Sequence, residues 1–196
     1  MESQVTGPLF VGLGNPGDRY RATRHNLGAE VIEWFASQHH LALKRSHRLF
    51  SFGSTLIEHH SVNVAIPHTY MNESGLAVAA LRDYCRFTPD QLVIIHDDLD
   101  LPVGQLRFKK GGRDGGHKGV RSVIGAMETD RFWRLKLGIG HATSPADDVS
   151  YVLEKVPAAQ WRRLIEMVEL AAQSMVCFAV QGPETAMNRY NQRPAE

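Results

Sequence analysis

Residues 11–28, with the sequence VGLGNPGDRYRATRHNLG, decide the fold of this chain. The apolar run Leu9–Leu13 lacks helical spacing, which predicts a buried strand. An Asn-Pro-Gly turn follows it, because proline fixes φ and glycine tolerates a positive φ. Apolar residues return at Leu27, where we expect a helix to begin. This order of strand, polar loop and helix puts Asn15 and His25 at the carboxyl end of a strand, where open α/β sheets bind ligands.

The same stretch contains the pattern G-x-G-x-x-G, which is typical of dinucleotide-binding proteins. That fingerprint needs a helix that opens directly on the glycines and an acidic residue at the end of a second strand, about 20 residues later. Here a proline and the unpatterned DRYRATR follow the glycines, and the next acids, Glu30 and Glu33, lie in a helical pattern. A dinucleotide-dependent oxidoreductase is therefore disfavoured.

Length and composition indicate one globular domain. A chain of 196 residues with 43% hydrophobic residues and a net charge of +1 can bury a sizeable core. We expect a single domain over residues 1–196, with residues 1–8 as a short N-terminal tail. This tail lacks the pattern of a signal peptide, and we find no apolar run long enough to span a bilayer, so no membrane partner is expected. Cys85 and Cys177 are expected to be core residues.

Basic residues are concentrated in one part of the chain. Residues 105–136 carry nine Lys or Arg against three acidic residues, so the rest of the chain is net acidic. Charge alone fits two interpretations equally, a solvated basic face and a surface that binds nucleic acid phosphates.

Alternating strand and helix patterns predict an α/β fold. The expected architecture is a single-domain, layered α/β/α structure with a mixed, mostly parallel central sheet. Helices are predicted over Leu27–Phe35 with Asn26 as N-cap, over Gly75–Phe87 with Ser74 as N-cap, and over Ala158–Gln181. The predicted strands after the first are Arg48–Gly53, Ser54–Glu58, Val62–Ile66, Leu92–Ile95, Val103–Lys109 and Phe132–Gly140.

Polar residues at the predicted strand ends suggest a site, and Asp97, Asp98 and Asp100 allow two interpretations of it. Three carboxylates could hold Mg²⁺ or Ca²⁺. However, Leu99 interrupts the cluster and no further acid follows at calcium-loop spacing. Alternatively, one carboxylate orients an imidazole and raises its basicity.

A histidine base is the simplest chemistry for such a site. An imidazole with a pKa near 6.5 can take a proton from water at neutral pH, and no G-x-S-x-G motif supports a serine nucleophile. The residues therefore predict a hydrolase in which water attacks directly. Spacing alone leaves four candidates for the base: His25, His68, His96 and His117.

Several motifs together resemble the bacterial-type peptidyl-tRNA hydrolases. In order between Leu9 and Asn191 they are GLGNPGDRYRATRHNLG, PHTYMNESG, IIHDDLDLPVGQLRFKKGG, GGHKG and RLKLGIGH. The resemblance implies an enzyme that hydrolyses the ester between a peptide and the ribose of tRNA and so recycles tRNA from aborted translation. It also implies a cytoplasmic monomer without metal, cofactor or obligate protein partner. The rival within this resemblance is a non-catalytic RNA-binding relative.

The resemblance also implies roles for individual residues. His25 corresponds to the general base and Asp97 to the carboxylate that supports it. Asn15 and Asn72 complete the catalytic set by holding the peptide backbone, and Asn15 helps to distinguish an N-blocked peptide from a free amino acid. The positions expected to line the substrate site or to grip phosphates of the acceptor stem are Tyr20, Tyr70, Arg107, Lys109, Arg134 and Lys136.

Lys118 departs from the family pattern, which commonly has an asparagine after Gly-His. An ammonium can only donate hydrogen bonds, but it adds a charge that attracts phosphate. We therefore expect Lys118 to contact substrate mainly on the tRNA side.

Overall fold

The computed structural model describes residues 4–142 and 147–191. The strands are β1 (Leu9–Gly12), β2 (Lys44–His47), β3 (Phe50–Ile57), β4 (His60–Pro67), β5 (Leu92–Asp98), β6 (Leu106–Lys110) and β7 (Trp133–Gly138). The helices are α1 (Leu27–Gln38), α2 (Ser74–Cys85), α3 (Lys118–Met127), α4 (Asp148–Leu153), α5 (Ala158–Gln181) and α6 (Pro183–Tyr190).

Seven strands of the described chain form one mixed sheet, in the order β2-β3-β4-β1-β5-β7-β6. The four central strands, β4, β1, β5 and β7, are parallel, and antiparallel pairing adds β3, β2 and β6 at the edges. One core lies between the sheet, α1 and α5, and a second core lies between the sheet, α2 and α3. The predicted layered α/β fold with a mixed sheet is confirmed.

The edge of the sheet differs from the prediction. Residues 50–57 form one continuous strand, β3, instead of two. The chain turns at Glu58 and His59, which both have positive φ, so that Ile57 pairs with His60 in the hairpin. The prediction also missed β2, whose sequence KRSH is polar because the strand lies at the exposed edge of the sheet.

Helix α5 supplies much of the first core. Over Gln160–Gln181 it is long and apolar enough to cross a membrane by length and composition alone, contrary to our sequence expectation. Half of the apolar stretch within this segment is buried in the domain. Its side chains Leu164, Ala171 and Met175 are buried in the core that it shares with α1. Packing inside the domain therefore accounts for the apolar character of α5.

Both cysteines are buried and unpaired, as the sequence indicates. Burial raises the pKa of the Cys85 thiol to about 11, which disfavours the nucleophilic thiolate. The segment before β1 also packs on the domain, since Val5 is buried and its N–H donates to the Cys85 carbonyl oxygen at 2.9 Å.

Close packing explains the glycines of the first motif. A Cβ atom on Gly12 would lie 2.1 Å from the Gly28 carbonyl oxygen, and one on Gly28 would lie 2.3 Å from the Ile95 carbonyl oxygen. These two glycines therefore let the start of α1 approach β1 and β5, which is a structural reason for glycine at residues 12 and 28.

We expect Gly28→Ala to lower the free energy of unfolding by about 3 kcal/mol, the upper end of the cost of overpacking, because the clash is with backbone. The matched control is Gly125→Ala in α3, where no atom other than the adjoining backbone of the helix lies within 4 Å of an added Cβ. This control should raise stability by about 0.5–1 kcal/mol, because alanine favours helix over glycine. Urea unfolding measures both variants, and equal stability of the two would contradict the packing argument.

Candidate active site

A cavity of about 880 Å³ opens where β1, β4 and β5 end, beside α3 and α4. Most of the residues predicted to form the catalytic and substrate site line this cavity. The predicted residues that it collects are Asn15, Tyr20, His25, Tyr70, Asn72, Asp97 and Lys118. The structure thus brings together residues that lie up to 103 positions apart in the sequence, and it leaves the predicted cations of β6 and β7 outside the cavity.

Asp97 stands at the centre of the hydrogen bonds in this cavity. It is buried at the end of β5, and its Oδ1 lies 3.0 Å from His25 Nδ1 and 3.0 Å from His117 Nε2. Burial alone would raise the pKa of Asp97, but the two imidazoles hold that pKa well below its usual range. Asp97 is therefore ionised and accepts hydrogen bonds from both rings.

His25 is left with one nitrogen available for chemistry. Its Nδ1 donates to Asp97, at 3.0 Å from each carboxylate oxygen, so Nε2 carries the lone pair in the neutral ring. Burial lowers the pKa of His25, but the Asp97 carboxylate outweighs burial and leaves the pKa raised. The arrangement can take up a proton at Nε2 and stabilise the resulting imidazolium.

The other candidate histidines are occupied or inaccessible. His117 Nδ1 accepts the Val120 N–H at 3.2 Å as the N-cap of α3, and its Nε2 donates to Asp97, so both nitrogens are used. His96 is buried, and burial moves its pKa well below the ordinary value. His68 bonds Ser51 Oγ at 2.9 Å, in a separate cavity. Geometry therefore favours His25 among the four.

The donor atoms of His25, Asp97 and His117 lie within 4.8 Å of one another and could in principle hold a metal ion. Zinc would need an unprotonated nitrogen from each histidine. His117 Nδ1 accepts a backbone N–H, which places the proton of the neutral ring on Nε2, the atom that faces Asp97. This protonation pattern fits a hydrogen-bonded relay better than a metal site.

The other carboxylates of the predicted acidic cluster are paired separately. Asp98 forms an ion pair with Lys136, and Asp100 lies 3.3 Å from His141 Nε2. Asp97, Asp98 and Asp100 therefore face different cationic or imidazole partners, which disfavours a shared magnesium or calcium site.

Asn26 fixes the loop that carries Asn15. Its Oδ1 accepts the Asn15 N–H at 2.8 Å, and its Nδ2 donates to the Asn15 carbonyl oxygen at 2.9 Å. The prediction that the Asn26 side chain caps α1 is therefore wrong. A short 3₁₀ turn leads into the helix, and the Asn26 side-chain amide binds the Asn15 backbone instead of the helix N-terminus. Asn15 Oδ1 in turn accepts the Met71 N–H at 2.8 Å, which leaves Asn15 Nδ2 to donate to a ligand.

The turn that carries Asn72 also departs from the prediction. Met71–Glu73 form a 3₁₀ turn, and α2 begins at Ser74 itself. The Ser74 hydroxyl donates to the Met71 carbonyl oxygen at 2.8 Å, so Ser74 does not cap α2 by accepting a backbone N–H. The turn holds Asn72 exposed at the cavity wall, next to the residue that Asn15 binds.

The four residues predicted to contact phosphate lie on one face of the β6–β7 pair, but their side chains differ in solvent exposure. Arg107 pairs in register with Lys136 and Lys109 with Arg134, and side chains of directly paired residues point to the same face. Arg107 and Lys109 are exposed. Arg134 is only 1% exposed and donates to the Gly112 carbonyl oxygen at 2.6 Å. A direct phosphate contact by Arg134 is inconsistent with this burial, because the glycine-rich loop covers the guanidinium.

Sequence reasoning missed the role of Arg24. This buried side chain donates to the Tyr151 carbonyl oxygen at 3.0 Å and to Gln160 Oε1 at 2.7 Å, and its guanidinium lies 3.8 Å from the centre of the Tyr151 ring. It thereby ties the residue before His25 to α4 and α5. Partners more than 120 positions away left no local signal in the sequence.

Comparison with known proteins assigns the family. Residues 9–196 match the family model described as Peptidyl-tRNA hydrolase. The chain is 40% identical to the peptidyl-tRNA hydrolase of Vibrio cholerae, over 96% of this chain and 97% of that protein. It is 40% identical to that of Chloroflexus aggregans, over 93% and 98%. The crystal structure of peptidyl-tRNA hydrolase from Acinetobacter baumannii superposes with a TM-score of 0.87 at 36% identity and 96% coverage of both chains. The chain therefore belongs to the peptidyl-tRNA hydrolase family.

Proposed function

We propose that this protein hydrolyses the ester bond of peptidyl-tRNA and releases free tRNA and peptide, with His25 as general base. The observation that carries the mechanism is the hydrogen bond from His25 Nδ1 to the buried Asp97 carboxylate, at the wall of the large cavity. This bond leaves Nε2 as the basic atom, and the competing nitrogens of His117 are both engaged. The proposal includes a cytoplasmic monomer without cofactor or protein partner, which rests on the family resemblance alone.

This arrangement supports the following reaction. His25 Nε2 takes a proton from a water molecule while the water oxygen adds to the carbonyl carbon of the ester. The carbonyl π electrons move onto the carbonyl oxygen and form a tetrahedral oxyanion. The intermediate then collapses, the bond to the ribose oxygen breaks, and that oxygen receives the proton from His25. Asp97 stabilises the imidazolium that exists between the two proton transfers.

Asn15 and Asn72 suit recognition of the peptide. Because Asn15 Oδ1 already accepts the Met71 N–H, its Nδ2 can donate to a carbonyl oxygen of the substrate. A peptide or an N-acyl group provides such a carbonyl beyond the ester, whereas a free amino acid does not. This difference supports a preference for blocked substrates.

The direct test is release of free tRNA from N-acetyl-aminoacyl-tRNA, with unblocked aminoacyl-tRNA as the control substrate. We expect cleavage of the blocked substrate and little cleavage of the control. Tight binding of the tRNA without cleavage of either substrate would instead support a non-catalytic RNA-binding relative.

Lys109 provides a test of the tRNA surface, because it is exposed and, unlike Lys136, makes no ion pair with a described residue. We expect Lys109→Ala to weaken binding of full-length tRNA and to reduce the slope of log Kd against log salt by about one. Cleavage of N-acetyl-aminoacyl-adenosine, which has no acceptor stem, should not change. Lys44→Ala on edge strand β2 is the matched control. Equal losses of activity on both substrates would show that Lys109 does not act by contacting phosphate.

A further inference from the structure

The charges that line the cavity are strongly unbalanced. Among the described lining residues, Lys118 is the one Lys or Arg. The carboxylates that line the same cavity are Asp97, Asp98, Asp100, Asp114 and Asp148. An ester hydrolysis in this cavity therefore creates a new negative charge among existing ones, which is costly unless a cation lies close to it.

The carboxylates that line the cavity interact with residues other than Lys118. Asp98 pairs with Lys136, Asp114 with Arg121, and Asp100 and Asp148 both approach His141. Lys118 makes no hydrogen bond or ion pair with a described residue, and its side chain is exposed at the cavity. Its ammonium is thus available to a bound substrate.

The backbone of Lys118 lies close to His25. It is the first residue of α3 and directly follows His117, whose ring centre lies 4.7 Å from that of His25. The positive charge of Lys118 lowers the pKa of His25, against the larger effect of Asp97, so the two side chains are electrostatically coupled. The attacking water must lie at His25 Nε2. The ester carbonyl that it attacks must therefore lie in the cavity that His25 and Lys118 line.

We propose that the Lys118 ammonium offsets the negative charge that forms on the ester carbonyl oxygen in the tetrahedral intermediate. This role rests on the proposed function, and it makes Lys118 a catalytic residue in place of the tRNA-side contact expected from the sequence. A neutral amide can donate a hydrogen bond to such an oxygen, but it cannot cancel the charge. The cation therefore has its largest effect in the transition state, where the charge develops.

The experiment compares Lys118→Met, Lys118→Arg and the control Lys44→Met on two substrates, N-acetyl-aminoacyl-tRNA and N-acetyl-aminoacyl-adenosine. The adenosine ester has no phosphate, so a phosphate contact cannot affect it. We expect Lys118→Met to lower kcat by about 10²–10³-fold on both substrates, the range for removal of one oxyanion-stabilising group. Lys118→Arg should restore part of the rate because it keeps the charge, and Lys44→Met should match the wild type.

The pH profile provides a second readout. The charged and titratable groups that act on His25 or contact its ring are Asp97 of β5 and, at the start of α3, His117 and Lys118, while Asp148 of α4 lines the same cavity. Removing the Lys118 charge should raise the pKa of His25, because that charge lowers it in the wild type. The base works only when unprotonated, so the acidic limb of the kcat/KM profile should move to higher pH in Lys118→Met.

Two results would overturn the proposal for Lys118 and leave the proposed function intact. A loss confined to the tRNA substrate, with a weaker salt dependence, would make Lys118 a phosphate contact. Wild-type rates of Lys118→Met on both substrates would place the side chain in solvent. A wild-type protein that cleaves neither substrate would overturn the hydrolase function, and the role of Lys118 with it.

Discussion

Replacing His25 by alanine is expected to lower kcat on N-acetyl-aminoacyl-tRNA by about 10²–10⁴-fold, the usual contribution of a positioned general base. The affinity for tRNA should stay near the wild-type value, because the exposed cations of β6 lie outside the cavity that contains His25. Single-turnover cleavage measures the chemical step, and fluorescence anisotropy with labelled tRNA measures binding.

The matched control for this variant is His68→Ala. His68 is also partly buried and hydrogen-bonded to one side chain, but it lines the separate cavity beyond Asn15. We expect it to keep most of the wild-type kcat. Near-normal cleavage by His25→Ala would exclude His25 as the base and redirect attention to His117.

An Asp97→Asn variant should lose at least about 10²-fold in kcat. The neutral amide cannot stabilise the imidazolium, and its NH₂ group cannot accept a hydrogen bond from the N–H of His25 or His117. The acidic limb of its kcat/KM profile should also move to lower pH. Asp97 raises the pKa of His25 in the wild type, so removal of its charge lets burial lower that pKa. This direction is opposite to the one expected for Lys118→Met.

Thermal unfolding of Asp97→Asn tests whether the fold is retained, since Asp97 is buried. The hydrogen-bond interpretation would be contradicted by an unchanged pH profile. A requirement for a divalent cation, together with that unchanged profile, would favour the alternative in which Asp97, Asp98 and Asp100 bind a metal ion.

Local patterns were enough to predict the layers of the fold and one end of the sheet. The apolar runs at Leu9–Leu13 and Leu92–Ile95 are buried on both faces, so they identify central parallel strands without help from distant residues. Polar residues at the ends of these strands then meet at one edge, which is why Asn15 and Asp97 line the same cavity.

Features that depend on distant partners could not be predicted. The alternation of side chains along a strand puts Arg134 and Lys136 on one face of β7, but it contains no information about the loop that covers Arg134. The second hydrogen bond to Asp97 comes from His117, whose orientation is set by the N-terminus of α3. Asn26 and Ser74 were predicted as helix caps because their residue types favour that role, whereas neighbouring loops use their side chains instead.

Both chain neighbours of His25 are anchored, which has a consequence for the energetics of turnover. Arg24 binds α4 and α5, and Asn26 binds the backbone of Asn15 on the opposite side. Much of the conformational entropy of His25 is therefore lost when the chain folds, before any substrate arrives. In the proposed mechanism, each catalytic cycle starts from a preorganised imidazole, so the activation barrier does not include the cost of ordering it.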